Sequence, residues 1–430
     1  MLGAFVNAFR TPDLRRKLLF VLFVIALFRL GSAIPSPGVD YSNVQECVSS
    51  VKGEGIYGLI NLFSGGALLK LTIFALGIMP YITASIILQL LTVVIPRLET
   101  LKKEGQAGTA KITQYTRYLT LGLAILQSTG IVALARTGQI FQNSCDLPLL
   151  VNQDVSTMVL MVVTMTAGTA MIMWLGELIT ERGIGNGMSI LIFTSIVSTF
   201  PTALWGIKKE HGWDIFVIVV AIGLVIMAAV VFIEQAQRRI PVQYARRMVG
   251  RRMFGGTSTY IPLKVNQAGV IPVIFASSLL YLPGLASQFN PTSPWSAWIS
   301  SHLVQGDHPY YMLLYFLLIV FFTYFYVAIT FNPTEVADNM KKYGGFVPGI
   351  RAGRPTEEYL AYVLSRITFP GALYLGVVSL VPLIAFVVIN ANQNFPFGGT
   401  SLLIMVGVGL DTVKQIESQL QQRHYEGFLR

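Results

Sequence analysis

Side chains that could perform acid–base, nucleophilic or metal chemistry are few in this 430-residue chain. It has two cysteines, and its four histidines are His211, His302, His308 and His424. Neither an H-E-x-x-H zinc motif, a G-x-S-x-G nucleophile turn nor a G-x-x-x-x-G-K-[ST] phosphate loop occurs in the sequence. We therefore expect no catalytic site, no metal site and no cofactor. The energy for any work must come from a partner or from the membrane potential.

Lysine and arginine form one dense cluster whose chemistry suits anion binding. The stretch 238–266 contains seven of these residues and no acidic one. Such an excess can bind ribosomal RNA, anionic lipid or an acidic protein surface. The same charges also fix orientation in a membrane, so a purely topological role is the alternative. The candidate docking residues are Arg246, Arg247, Arg251 and Arg252, with Arg351 in the neighbouring loop 333–367.

The elements that position these residues are predicted to be membrane spans. The chain is 53% hydrophobic and 12% charged, whereas about a quarter of the residues in a soluble domain are charged. At about 20 residues a span, the length allows roughly ten spans and little else. The first run follows Arg15, Arg16 and Lys17 like a signal peptide, but the many later spans favour an uncleaved helix. The predicted spans are 18–36, 72–95, 118–135, 157–175, 188–204, 215–233, 269–286, 310–331, 368–389 and 400–413.

The loop charges orient these spans. Segments on the side of the N-terminus hold 25 Lys and Arg residues, and segments on the other side hold four. Because basic loops stay in the cytoplasm, both termini are predicted to be cytoplasmic. Ionisable residues are rare in the span interiors, and Arg29, Glu177, Glu234 and Asp411 lie toward span ends. This scarcity argues against the main rival function, an ion-coupled secondary transporter.

An internal repeat relates the two halves of the chain. Gly77–Ser85 and Gly269–Ser277 share five of nine positions, and Gly187–Ile192 and Gly399–Ile404 share four of six. The matches pair spans two and five with spans seven and ten. Because five is odd, the halves would cross the membrane in opposite directions, with functional sites at their interface. The predicted halves are residues 1–207 and 208–430.

Several segments resemble the SecY family of protein-translocation channels. They run in order over essentially the whole chain, and the match is specific. The segments are Ile60–Leu68, Ile73–Ile82, Gln114–Tyr118, Glu181–Gly187, Pro262–Asn266, Phe346–Arg351 and Phe397–Ser401. The resemblance implies an all-α membrane fold in which ten helices form a clam-shell around an hourglass channel. It also implies that the channel carries unfolded secretory proteins across the membrane and releases apolar segments sideways into lipid.

The family's pore ring, plug and lateral gate transfer to positions of this sequence. A narrow aliphatic ring excludes ions by dewetting and offers no polar group to a passing chain. The ring positions are Ile78, Ile82, Met188, Ile192, Ile274 and Ile404. The plug, a half-helix at about 57–69, includes Tyr57, Leu59, Ile60, Asn61, Leu62, Phe63, Ser64, Gly65, Gly66 and Leu68. The gate candidates are Gln89, Gln127, Ser128, Ser277 and Ser278, which could bond across the seam or equally to their own helix backbones.

The resemblance also implies a cytoplasmic-membrane location and a set of partners. The expected partners are small membrane subunits of the SecE and SecG type, the SecA motor ATPase, the ribosome, signal peptides and nascent chains, accessory SecD and SecF proteins, and anionic lipids. Cys47 and Cys145 both fall on the predicted exterior side, where oxidation is possible. A disulfide between them is one hypothesis, and two free thiols are the other.

Overall fold

The structure is a computed structural model. It describes residues 9, 11–50, 64–137, 147–152, 154–244, 247–249, 252–254, 258–289, 293–304, 308–389 and 399–426. Within these ranges the chain is mostly helical. The predicted residues Tyr57, Leu59, Ile60, Asn61, Leu62, Phe63, Cys145, Arg246 and Arg251 lie outside the described residues.

The first part of the chain forms a series of helices joined by short connections. They are α1 (Pro12–Gly31), α2 (Tyr41–Ser50), α3 (Met79–Val94), α4 (Pro96–Lys103), α5 (Gln106–Thr137), α6 (Val155–Arg182) and α7 (Gly187–Gln235). The helical run of α7 is interrupted at Gly212, whose φ of 80° is not helical. It therefore comprises two spans, Gly187–Gly206 and Gly212–Gln235. The side chain of Asn186 caps its first turn by accepting from the backbone N–H groups of Met188 and Ser189.

A small β-structure follows α7 and separates it from the remaining helices. The strands are β1 (Gln237–Tyr244), β2 (Arg247–Val249), β3 (Arg252–Phe254), β4 (Ser258–Lys264) and β5 (Gly345–Phe346). β1 lies between β4 and β5 and is antiparallel to both. β2 and β3 form a separate antiparallel pair in which Arg247 lies opposite Phe254. We name the β1–β4 pair the ribbon.

The rest of the chain is again helical. The helices are α8 (Ile271–Phe289), α9 (Pro294–Ile299), α10 (Pro309–Thr330), α11 (Pro333–Lys342), α12 (Arg354–Ile389) and α13 (Gly399–Glu426). A single π-helical turn, Ser300–Val304, follows α9. The ribbon is a departure from the predicted all-α class. Its buried residues alternate with exposed ones, Ile240 and Val242 facing inward, which is the period of a strand.

Each predicted span falls on a helix, and part of the span count is established. Among the described residues, six helices are long and apolar enough to cross a membrane, and the pair α3 and α4, bent by 100°, makes a possible seventh. Ile271–Leu280 is a shorter apolar helix. The protein is therefore a mostly helical membrane protein, while the full set of ten spans in a clam-shell stays a prediction.

Two predicted boundaries were wrong for reasons of local backbone chemistry. The first helix runs from Pro12 to Gly31 rather than from 18 to 36. Proline suits a first helical turn, where its missing N–H group is not needed. The second span was expected from residue 72, but its helix begins at Met79. Residues 72–78 form turns and a bridge instead, and Gly77 there has a φ of 56°.

Helix packing follows the same order in both parts of the chain. α3, α5, α6 and the first part of α7 pack successively against one another, and so do α8, α10, α12 and α13. The two series meet where α13 packs along α7, and also through a smaller contact between α3 and α8. The largest buried clusters lie within and between these series.

Candidate pore constriction and plug

The six predicted ring residues come together in one hydrophobic cluster. We name it the central cluster; its ring positions are Ile78, Ile82, Met188, Ile192, Ile274 and Ile404. They come from α7, α8, α13 and the start of α3. Ile404 and Ile78 are only 1% and 2% exposed, so these side chains are almost completely buried.

Matching backbone turns place the ring residues of α3 and α8. Gly77 and Gly269 have φ values of 56° and 62°, and each helix begins two residues later. The amide of Ile82 then donates to the carbonyl of Ile78 at 3.1 Å, and the amide of Ile274 donates to that of Val270 at 3.3 Å. The matched sequence segments therefore fold into the same local structure.

Proline at the start of these two helices does not bend them. Pro80 and Pro272 are the second residues of α3 and α8. At this position a backbone N–H group has no partner within the helix, so its absence costs little. The prolines therefore help to begin the helices next to the ring residues.

The described part of the predicted plug is a buried turn beside the central cluster. Residues 64–71 are turns rather than regular helix, because Gly65 and Gly66 have φ values of 67° and 87°. Ser64 is fully buried, and its Oγ accepts from the amide of Leu68 at 3.1 Å. We name Ser64–Leu71 the plug turn.

The plug turn is attached at one end to the segment after α1. The amide of Ser36 donates to the carbonyl of Leu71, and the amide of Ile73 donates to that of Ile34, both at 3.0 Å. Leu71 is fully buried with a φ of 47°, a conformation that L residues rarely adopt. The backbone of the turn is thereby fixed at its C-terminal end.

The candidate gate residues fall into different environments. Gln89 of α3 is exposed, whereas Gln127 of α5 is buried. Ser277 donates to the carbonyl of Ile274 in its own helix, and Ser128 donates to that of Ile125 while lying 3.3 Å from the Thr166 hydroxyl of α6. Ser278 of α8 is buried, and its hydroxyl has no hydrogen-bond partner among the described residues.

Comparisons with known proteins identify the family of this chain. The SecY family profile matches residues 72–413. A protein translocase subunit SecY from Streptomyces galbus is 69% identical over 438 residues, covering all of both chains.

The chain belongs to the SecY family.

Three solved structures have the same fold at 17–18% identity, each covering 94% of this chain and 91% of the other. One is described as a protein-conducting channel, with a TM-score of 0.63. The second concerns a SecY plug domain that stabilises the closed state, with a TM-score of 0.61. The third is Sec61 in a canine ribosome–channel complex, with a TM-score of 0.60. Membership of the SecY family makes this chain a translocase channel subunit and not an enzyme.

Three of the predicted docking residues lie within the described part of this SecY-family chain. Arg247 and Arg252 belong to β2 and β3, and Arg351 is exposed just before α12. Arg238 and Arg239, which were not among the docking candidates, are also exposed, on β1. The guanidinium of Arg239 lies 4.8 Å from the centre of the Tyr260 ring on β4, a cation–π distance. The sequence shows Arg238 and Arg239 as two adjacent arginines in the same basic stretch as the candidates.

Two polar contacts in the SecY fold were not predicted from the sequence. Arg117 of α5 makes a two-pronged ion pair with Glu177 of α6, at 2.9 Å and 2.8 Å. Glu234, near the end of α7, accepts from the side chain of Asn266 at 2.5 Å, and Asn266 also donates to the carbonyl of Gly269 at 3.2 Å. Each residue was noted only singly, because the partners are 32 and 60 residues apart in the chain.

The segment after α1 is tied to the loop before α6. Asn43 donates to the carbonyl of Pro148 at 2.9 Å, and Asp40 donates its backbone amide to Leu149 at 3.0 Å. Hydrogen bonds from the side chain of Ser42 and the backbone of Asn43 lower the pKa of the Asp40 carboxyl group. Cys47 in α2 is buried and disulfide-bonded.

Proposed function

We propose that this chain forms the protein-conducting channel of a translocase in the bacterial cytoplasmic membrane. It carries unfolded secretory proteins across the membrane and releases apolar segments sideways into the bilayer. The observation that carries the proposal is the convergence of six aliphatic side chains, from both parts of the chain, in the central cluster beside the plug turn. Ten spans, in inverted halves 1–207 and 208–430, surround this constriction.

The ring seals the channel because its side chains are apolar. A constriction of aliphatic groups holds no continuous water, so ions would have to shed their hydration to cross it. It also offers no fixed hydrogen-bond partner that would retain a passing peptide. Met188, with its unbranched side chain, makes this ring more adaptable at one point than an isoleucine would.

The plug turn completes the closed state from one side of the ring. Leu68 and Leu71 are 3% exposed and fully buried, respectively, in a cluster with α5 and α6. This apolar contact can be exchanged for contacts with a translocating chain. Opening then requires displacement of a short turn and leaves the rest of the helical framework in place.

Lateral exit occurs at the seam between α3 and α8. These helices share a smaller contact than the successive helix pairs on either side of them. Ser277 and Ser128 bond to their own helices, so these two polar groups contribute little to closing the seam. Apolar side chains such as Ile86 of α3, packed with α8 and α10, hold it together instead.

Docking takes place on the basic surface around the ribbon, which faces the cytoplasm together with both termini. Exposed arginines on β1 and Arg351 suit the phosphates of ribosomal RNA or the acidic surface of a motor protein. The partners are small subunits of the SecE and SecG type, a SecA-type ATPase, the ribosome and anionic lipids, with signal peptides and nascent chains as substrates. SecD- and SecF-type proteins are accessory partners.

Crosslinking from a stalled substrate tests the proposal. A photoreactive residue is placed at each of the six ring positions, and a secretory chain is arrested during translocation into reconstituted vesicles. Crosslinks are expected at all six positions and only when the SecA-type motor and ATP are supplied. A secondary transporter would instead accumulate a small solute without a motor.

The matched control positions are Val225 and Phe232 of α7, which are 70% and 78% exposed on the outside of the helix array. Crosslinks to these positions at the same frequency as to the ring would contradict the channel assignment. Absence of any motor-dependent translocation by the unmodified protein would contradict the function as a whole.

A further inference from the structure

Arg29 connects α1 to the plug turn. It lies two residues before the end of a helix that is otherwise apolar from Leu18 onward. Its Nη1 donates to the backbone carbonyl of Gly65 at 3.2 Å. Among the described residues, no carboxylate lies within ion-pair distance of this guanidinium. A charged group among apolar side chains is costly unless it is hydrogen-bonded, so this carbonyl contributes to the closed structure.

Gly65 is confined on two sides. A methyl group added at its Cα would lie 2.8 Å from Nη1 of Arg29 and 3.2 Å from the Cα of Ser195 in α7. Its φ of 67° also disfavours any other residue. The hydroxyl of Ser195 donates to Leu191 in its own helix. The plug turn therefore fits between α1 and α7, and the polar contact in this fit comes from Arg29.

The two ends of the plug turn are held in different ways. Its C-terminal end pairs by backbone hydrogen bonds with the segment after α1, next to the left-handed Leu71. Near its N-terminal end, the carbonyl of Gly65 accepts a hydrogen bond from the side chain of Arg29. A displacement of the turn that pivots about Leu71 would break this contact.

We propose that Arg29 is a latch, a positioning residue that keeps the plug turn closed through the Gly65 carbonyl. In the closed structure this carbonyl occupies one hydrogen-bonding site of the partly exposed guanidinium. When a substrate displaces the turn and water enters, water can take the place of the carbonyl. The latch thus couples opening of the channel to hydration of the Gly65 carbonyl and the Arg29 guanidinium. This inference rests on the proposed channel function.

The test is the resting ion conductance of the full translocase complex in planar bilayers. Arg29→Gln is expected to raise the resting current by about tenfold or more, because the charge-assisted hydrogen bond that holds Gly65 is lost. Arg29→Lys keeps a charged donor and is expected to restore most of the seal. Arg16→Gln, at the exposed opposite end of α1, is the matched control and is expected to leave the current unchanged.

A second variant approaches the same contact from the plug. Gly65→Ala introduces the methyl group that collides with Arg29 and Ser195, and it is expected to raise the current as well. The double variant should leak no more than the worse single variant, since both substitutions break the same contact between Arg29 and Gly65. Thermal unfolding in detergent separates a latch from a general structural role, because Arg29→Gln is expected to leak at an unchanged unfolding temperature. Gly65→Ala also strains the backbone, so it is judged by the current alone.

A resting current equal to that of the unmodified protein in both Arg29→Gln and Gly65→Ala would overturn the latch. A higher resting current in Arg29→Gln that is accompanied by a lower unfolding temperature would also overturn the latch, because both effects would follow from a general structural role. Motor-dependent translocation by the unmodified complex is measured in parallel. Its absence would reject the proposed function, whereas its presence with tight variants would reject the latch alone.

Discussion

Charged side chains within the described spans are held by specific partners. Arg117 pairs with Glu177, Glu234 binds Asn266, and Arg29 binds a plug carbonyl. A charge in a low-dielectric setting must be hydrogen-bonded or paired, or it destabilises the fold. Each of these three charged groups therefore has a hydrogen-bond or ion-pair partner, whereas every side chain at the six ring positions is apolar.

The Arg117–Glu177 pair gives a prediction at this scale. Glu177→Gln removes the carboxylate that accepts both prongs of the guanidinium and leaves a partly buried charge unpaired. We expect the free energy of unfolding to fall by about 1–2 kcal/mol. The measurement is thermal unfolding of the purified protein in detergent.

The control for this prediction is Glu358→Gln. Its carboxylate pairs with Arg354 at 3.2 Å, but both side chains are highly exposed, and such pairs contribute less than about 1 kcal/mol. Equal losses of stability in the two variants would show that the α5–α6 pair has no special role.

At the scale of elements, the starts of the helices determine where the ring residues lie. Gly77 and Gly269 turn the chain with positive φ, and α3 and α8 then begin with a proline as their second residue. Gly187 begins α7 and Gly399 begins α13 in the same paired way. The repeated sequence segments are therefore helix-initiating segments, and this explains why they retain glycine and proline.

Gly269→Ala tests the need for positive φ. No atom lies within 4 Å of the added methyl group, so the cost is backbone strain alone. We expect a loss of about 1–2 kcal/mol in the free energy of unfolding, measured by denaturation in detergent.

Gly122→Ala in the middle of α5 is the matched change, because it also meets no atom within 4 Å but has ordinary helical geometry. Alanine is better than glycine in a helix by up to about 1 kcal/mol, so this variant should be slightly more stable. A stabilised Gly269→Ala protein would refute the proposed role of the turn.

Sequence reasoning predicted the helices well and the turns poorly. Each of the ten predicted apolar runs overlaps a helix, because burial in lipid or protein follows directly from side-chain chemistry. The repeat and the resemblance brought together Ile78, Ile192, Ile274 and Ile404, which no local spacing could do. The pairing of Arg117 with Glu177 and of Arg29 with Gly65 depends on how distant helices pack. The ribbon was also missed, since its strands were read only as a charged loop.

At the scale of the whole molecule, two helix series meet along one firm and one slight contact. α13 packs closely on α7, whereas α3 touches α8 over a smaller area. Two bodies joined in this way separate most easily at the slighter contact, with the firmer one acting as a hinge. This difference supports the proposed lateral seam on the side of α3 and α8.

Truncation of one seam residue tests this arrangement. Ile86→Ala removes apolar contact between α3 and the second helix series, and such truncations cost about 2–5 kcal/mol when the site is buried. The closed seam is weakened, so we expect a marginally apolar test segment to enter the lipid several-fold more often. The measurement is the ratio of inserted to translocated segment in reconstituted vesicles.

Ile319→Ala makes the same truncation in α10, in the same cluster but within the second series. It should lower stability without changing the ratio of inserted to translocated segment. An equal shift of the ratio in both variants would mean that general loosening, and not the seam, controls lateral exit.

The ribbon has a mechanical consequence. β4 leads within seven residues into α8, and Asn266 on the way is held both to Glu234 and to Gly269. β1 in turn continues directly from α7. Because its two strands are joined by hydrogen bonds, the ribbon is stiff. A force applied at its far end is therefore transmitted to the first turn of α8. A partner bound at that far end would thus act on the seam between α3 and α8 without contacting either helix.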